Sequence, residues 1–290
     1  TEMKKFAILG CENSHADAFL DIVYNKKLYT DIECAGVYSE DREAAEKLHG
    51  KYGVDIMCSP DALVGQLDGL IITARHGAKH HEFARPYIKS GIPMFIDKPI
   101  TIDEDDSVAL MREFRENGVR FCGGSSCPHA KFVGELKAAR DSGEYGKILG
   151  GSLRAPVSMD NPHGGWFFYS QHLVEVMCEL FGYFPESVRA YRKPGVYDFA
   201  VRYTDYDVWA SFIEGNYIYA ADVSFEKKFA AGEYKLDGCY ESEFKAFHAL
   251  LDGGASEKLP EDFIAPVFIM NAMKRALDSG NEEIVNEVRI

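Results

Sequence analysis

Apolar residues in the first 120 positions fall into short continuous runs, separated by stretches with helical spacing. Residues 5–9 (KFAIL), 32–38 (IECAGVY), 69–73 (GLIIT) and 94–96 (MFI) read as buried strands, and VRFCGG closes the series. Between them the pattern predicts helices over 16–24, 42–49 with Gly50 as cap, 79–90, and 103–116. Gly91 is placed to end the third of these, and Pro93 prevents its continuation. Unbroken apolar strands alternating with helices imply a parallel sheet covered on both faces, the doubly wound Rossmann architecture of an α/β domain.

The rhythm changes after Gly124. A helix over 129–141 leads through the turn SGEYG to a long strand starting near Ile148, and a second helix covers 171–181. Strand-like stretches then follow in succession at 187–192, 199–203, 208–213 and 217–222, with EGN as a turn, before a last helix at 265–277. The expectation is an α+β domain on a largely antiparallel open sheet. The domain boundary is therefore placed at 123, with a nucleotide-binding domain over 1–123 and an α+β domain over 124–290, to which the resemblance given below assigns substrate and oligomerisation.

Charge narrows the function classes. With 32 basic and 46 acidic residues the net charge is −14, and no basic run interrupts it. Such a field repels phosphate backbones and anionic lipid, so neither nucleic acid nor a membrane surface is expected as a partner. Seven scattered cysteines, none at the two-residue spacing of zinc or redox motifs, suit reduced thiols in a cytoplasmic protein. The first residues carry no signal-peptide profile, and no stretch approaches the ~20 apolar residues of a membrane helix.

The turn after the first strand, Gly10–Cys11–Glu12–Asn13–Ser14–His15, is the first candidate site. A glycine between a strand and a helix N-terminus is the setting that receives a pyrophosphate. Of the G-x-G-x-x-G pattern only Gly10 fits; Glu12 takes the second place, where a carboxylate repels phosphate, and His15 the third. The same turn also suits an ordinary strand–helix connection capped by Asn13 or Ser14. Past the second strand, Ser39 stands where an acid normally meets the adenosine ribose, with Arg42 close behind, a pairing that leans towards NADP over NAD. Arg75, His76 and His80 follow the strand at 69–73, and Asp97–Lys98–Pro99 follows the next, both at the sheet edge where open α/β folds bind ligands. No metal is expected, because no Cys, Asp or Glu joins the histidines at ligand spacing.

Taken together these motifs resemble the Gfo/Idh/MocA family, named for glucose–fructose oxidoreductase and inositol dehydrogenase. The family's T-P-x-x-x-H falls on Arg75–His80 with only the histidine matching, its E-K-P on Asp97–Pro99, and its D-x-x-x-H-x-x-D on Phe168, His172 and Glu175. LKAARDSGEYGKILGGSLR is similar to the family's entry into its second domain. The resemblance implies a homo-oligomer, dimer or tetramer, that binds NAD or NADP through residues 10–15, Ser39, Arg42, Arg75, His76, His80, Asp97 and Lys98, and acts on a sugar- or cyclitol-like molecule. The departures are Glu12, Phe168 in place of the aspartate, and SSCPHAK where many members carry an arginine.

In NPHGGWFFYSQHLVEVM, glycines precede four aromatics and then His172, a composition suited to a sugar, whose C–H faces pack on rings; a core cluster fits equally. Trp166, Tyr169, His172 and Lys98 are therefore the expected substrate contacts. Lys98 is read as the electrostatic and proton-relay group, His172 as general acid/base, Tyr169 as a substitute for the missing aspartate, and Glu175 as the residue holding the imidazole. Two other readings stay open: an NAD-assisted lyase or glycosidase working through transient oxidation, and a non-catalytic ligand-binding relative.

Overall fold

The computed structural model describes residues 3–290. The first domain runs β1 (Lys4–Leu9), α1 (Ser14–Tyr24), β2 (Ile32–Tyr38), α2 (Arg42–Tyr52), β3 (Gly69–Ile72), α3 (Ala78–Ile88), β4 (Met94–Asp97), α4 (Glu104–Asn117) and β5 (Phe121–Gly124). Its five strands are all parallel in the order β2-β1-β3-β4-β5. Strands β3 and β4 are buried at every position, which is why they read as unbroken apolar runs. The chain reverses its winding direction between β1 and β3, so the crevice beyond their C-terminal ends is the natural ligand position.

The second domain contains α5 (Lys131–Ser142), β6 (Ile148–Val157), α6 (Trp166–Phe181), β7 (Ser187–Lys193), β8 (Val196–Arg202), β9 (Asp207–Glu214), β10 (Tyr219–Phe225), β11 (Phe229–Tyr234), α7 (Cys239–Leu251), α8 (Pro260–Ser279) and β12 (Glu282–Ile284). Seven strands form a mixed, mostly antiparallel sheet ordered β11-β10-β6-β9-β8-β7-β12, in which β6 and β9 are the parallel pair. Strand β9 shows the period-2 logic: Val208, Ala210 and Phe212 are buried, while Trp209 alternates outwards. Helices α6 and α8 cover the inner face.

Four details differ from the sequence expectations. Helix α2 runs through Gly50 to Tyr52, because Gly53, at φ +73°, makes the left-handed cap. Helix α6 begins at Trp166 rather than 171, directly after Gly165. Strands β11 and β12 and helix α7 have no counterpart in the sequence reading. Finally, α7 returns to the first domain, where Phe244 and Phe247 pack edge-on against Phe6. The N-terminal core thus draws on residues far beyond position 123.

Candidate active site at the domain junction

The β1–α1 turn is built by close approach. Gly10 has φ +76°, and a Cβ there would lie 2.3 Å from the Ala74 backbone, so only glycine fits. The Gly10 and Cys11 amides both donate to the Tyr38 carbonyl, at 2.8 and 3.1 Å, and the Cys11 side chain is buried. Asn13 caps α1 by accepting from the His15 amide (2.9 Å) and donates to Asp97 Oδ2 (3.0 Å). His15 Nδ1 donates to the same Asp97 oxygen at 2.5 Å. Asp97 is fully buried and also accepts from the Lys98 amide, so it locks the α1 terminus to the end of β4.

Lys98 follows Asp97 and is 5% exposed. Its Nζ lies 4.3 Å from the Phe168 ring centroid, 5.7 Å from that of Tyr169, and donates to the Phe168 carbonyl (3.3 Å). Burial lowers its pKa from the ordinary lysine value, with Asp97 opposing the shift. His172 lies two helical turns into α6, with Tyr169 at 5.9 Å and Tyr219 edge-on at 6.3 Å between ring centroids. Burial, then the Lys98 charge, pushes His172 well below the usual histidine range. It is therefore neutral at pH 7.

His172 Nδ1 meets the Ser125 hydroxyl at 2.7 Å, and Ser125 Oγ also accepts from the Cys127 amide at 3.1 Å. Glu175, expected to hold the imidazole, instead accepts from the Ser125 amide (2.6 Å), Gln171 (3.0 Å) and Lys258 (2.8 Å). It supports the support. Ser125 escaped the sequence reading because it lies 47 positions from His172 with no motif linking them.

Asn13, Ser14, His15, Arg75, Lys98, Tyr169 and His172 line one cleft of about 280 Å³. Ser126, Phe168, Tyr217, Tyr219, Leu236 and Tyr240 complete it, and no local pattern in the sequence marks Tyr217, Tyr219 or Tyr240. Other expected residues lie elsewhere. Trp166 is 2% exposed, wedged between Phe199 and Phe212 with its Nε1 donating to the Met270 carbonyl. His80 is fully buried and braces the Ala74 and Ile100 carbonyls, at 2.8 and 3.2 Å. His76 Nδ1 accepts from the Ala78 amide at the start of α3. Arg42 points along α2 to Glu46 (3.0 Å), away from Ser39. Ser39 itself donates to Glu12 (2.7 Å).

The donor set suits an anionic dinucleotide. Arg75 and Lys98 make no ion pair among the described residues, and both converge with the α1 N-terminus on one cleft of a chain that is otherwise strongly acidic. The Glu12 carboxylate is held by the Ser39 hydroxyl and the Arg75 amide rather than by the α1 N-terminus.

No curated protein matches the chain in sequence. In fold it is similar to myo-inositol 2-dehydrogenase from Lactobacillus plantarum (TM-score 0.86, 13% identity, covering 98% of this chain and 100% of that one). Similar likenesses hold for apo scyllo-inositol dehydrogenase from Lactobacillus casei (0.85, 13%, 98% of each chain) and for GenD2 from gentamicin A biosynthesis in complex with NAD (0.84, 14%, 99% and 97%). Residues 4–125 match the family model described as an oxidoreductase family with an NAD-binding Rossmann fold. Over those residues the chain carries the NAD-binding Rossmann domain of the Gfo/Idh/MocA oxidoreductases.

Proposed function

We propose that the protein is an NAD(P)-dependent oxidoreductase acting on a secondary alcohol of a sugar- or cyclitol-like molecule. The observation that carries this reading is the pairing of buried Lys98 with neutral His172 in one cleft at the C-terminal edge of the Rossmann sheet. The phenols and ring edges of Tyr169, Tyr217 and Tyr219 suit a polyol, which offers C–H faces to rings and hydroxyls to polar tips. The inositol dehydrogenases of the same fold support the substrate class.

Nicotinamide, when bound, accepts or supplies the hydride. The protein's part is proton control. Ser125 can accept from Nδ1–H of His172, which leaves Nε2 bare to take the substrate hydroxyl proton. Lys98, buried beside the Phe168 ring, stabilises the oxygen as negative charge grows on it. Arg75 and the α1 N-terminus would hold the cofactor phosphates. Titration with NADH and NADPH followed by a polyol and sugar panel, read by reduced-nicotinamide absorbance, tests this reading. Binding without turnover of any polyol would refute the dehydrogenase assignment.

The cytoplasmic setting and the oligomer belong to the same proposal. The seven cysteines are free thiols, and no described helix is long and apolar enough to cross a membrane. The outer face of the second sheet carries Trp209 and Tyr191, about half exposed and 5.8 Å apart, which suits pairing with a second copy.

A further inference from the structure

We propose that Glu12 supplies the ribose-facing carboxylate that the end of β2 lacks, so that the dinucleotide site selects NAD over its 2′-phosphorylated counterpart. The inference rests on the dinucleotide reading above and deepens it. Strand β1 lies between β2 and β3, and Glu12 stands just beyond its end. One carboxylate oxygen accepts from Ser39 Oγ at the end of β2 (2.7 Å) and the other from the Arg75 amide after β3 (3.0 Å). Ser39 accepts from the Asp41 amide (3.0 Å), which commits its single proton to Glu12. A carboxylate is thereby fixed beside Ser39, the place from which an acid ordinarily meets the ribose hydroxyls, though it arrives from the first turn rather than the second strand. Its remaining lone pairs are free to accept from a ribose diol.

The surroundings reject a 2′-phosphate. Such a group adds close to two negative charges next to Glu12, with Glu40 and Asp41 nearby. Neither local cation answers it: Arg42 pairs with Glu46 at 3.0 Å, and Lys79 pairs with Glu40 and Glu82 at 2.9 and 3.3 Å. Arg75, whose amide meets Glu12, lines the cleft with Lys98.

Fluorescence titration with NADH and NADPH, on wild type and on Glu12→Gln and Arg42→Ala variants, decides the matter. Wild type should bind NADH at least about tenfold more tightly, and E12Q, which keeps the Ser39 bond, should lose most of that ratio by gaining NADPH affinity. R42A should leave the ratio unchanged. Raising salt should narrow the wild-type ratio, a readout that needs no variant to fold. NADPH binding as tight as NADH, or a ratio insensitive to E12Q, overturns the inference while the oxidoreductase reading stands. Binding of neither cofactor overturns that reading and this inference with it.

Discussion

Burial sets the behaviour of Lys98 and His172, since both lose the water that would stabilise their charge. On the proposed mechanism His172 is the base, and because burial lowers its pKa the acid limb of alcohol oxidation should lie on the acid side of an ordinary histidine's. Because Lys98 contributes to that depression, Lys98→Met should move the limb towards higher pH, which kcat–pH profiles would reveal. On a confirmed substrate, Lys98→Ala and His172→Ala should each cost about 10²–10⁴ in turnover, and the double variant little more than the worse single one. Full activity in His172→Ala would pass the role to Tyr169. The place of Lys98 in the cleft was legible through the resemblance of its Lys-Pro pair, at the end of an apolar strand, to the family motif, whereas Ser125 was not, since only the folded chain brings it to His172. Trp166 shows what an aromatic run conceals. Six residues at about 100° each set it some 120° around α6 from His172, into the core. Trp166→Ala should therefore cost about 3–5 kcal/mol of stability in denaturant titration, with NADH affinity retained.

Among the elements, α7 was the least legible. Its local pattern shows an amphipathic helix at most, and nothing in it says which of two sheets it covers. Phe244→Ala should cost about 3–5 kcal/mol, because the ring is fully buried against the first domain. A fragment ending at position 124 should expose Phe6 and Phe19 and fail to give a cooperative melt. Helix α6 carries a second dependence. Burial pushes the Glu179 carboxyl up, but Lys258, Lys137 and Tyr183 outweigh it and hold it at about 2, against 4.5 when unfolded. A depressed carboxyl stabilises above its unfolded value and loses that contribution as pH falls through its folded one. Acid titration should thus remove about 2–3 kcal/mol between pH 4.5 and 2 in wild type, and much less in Glu179→Gln. The strands were legible by contrast, because apolar runs in β3 and β4 and alternation in β9 are direct imprints of burial.

For the whole molecule, the exposed Trp209 and Tyr191 make assembly testable: Trp209→Glu should convert an oligomer to monomers in sedimentation velocity, leaving the melting profile of each subunit nearly unchanged. A wild-type monomer at micromolar concentration would end the oligomer proposal. The return of α7 has a mechanical consequence. The chain leaves the first sheet after β5, builds the second, comes back as α7 and departs again into α8, so neither sheet can loosen without pulling on the other's core. The cleft between them, lined by Tyr217 among others, should therefore open and close less than a two-domain hinge would. Heat should dissolve both sheets in one calorimetric transition, and a dinucleotide gripping only the first should delay the melting of the second.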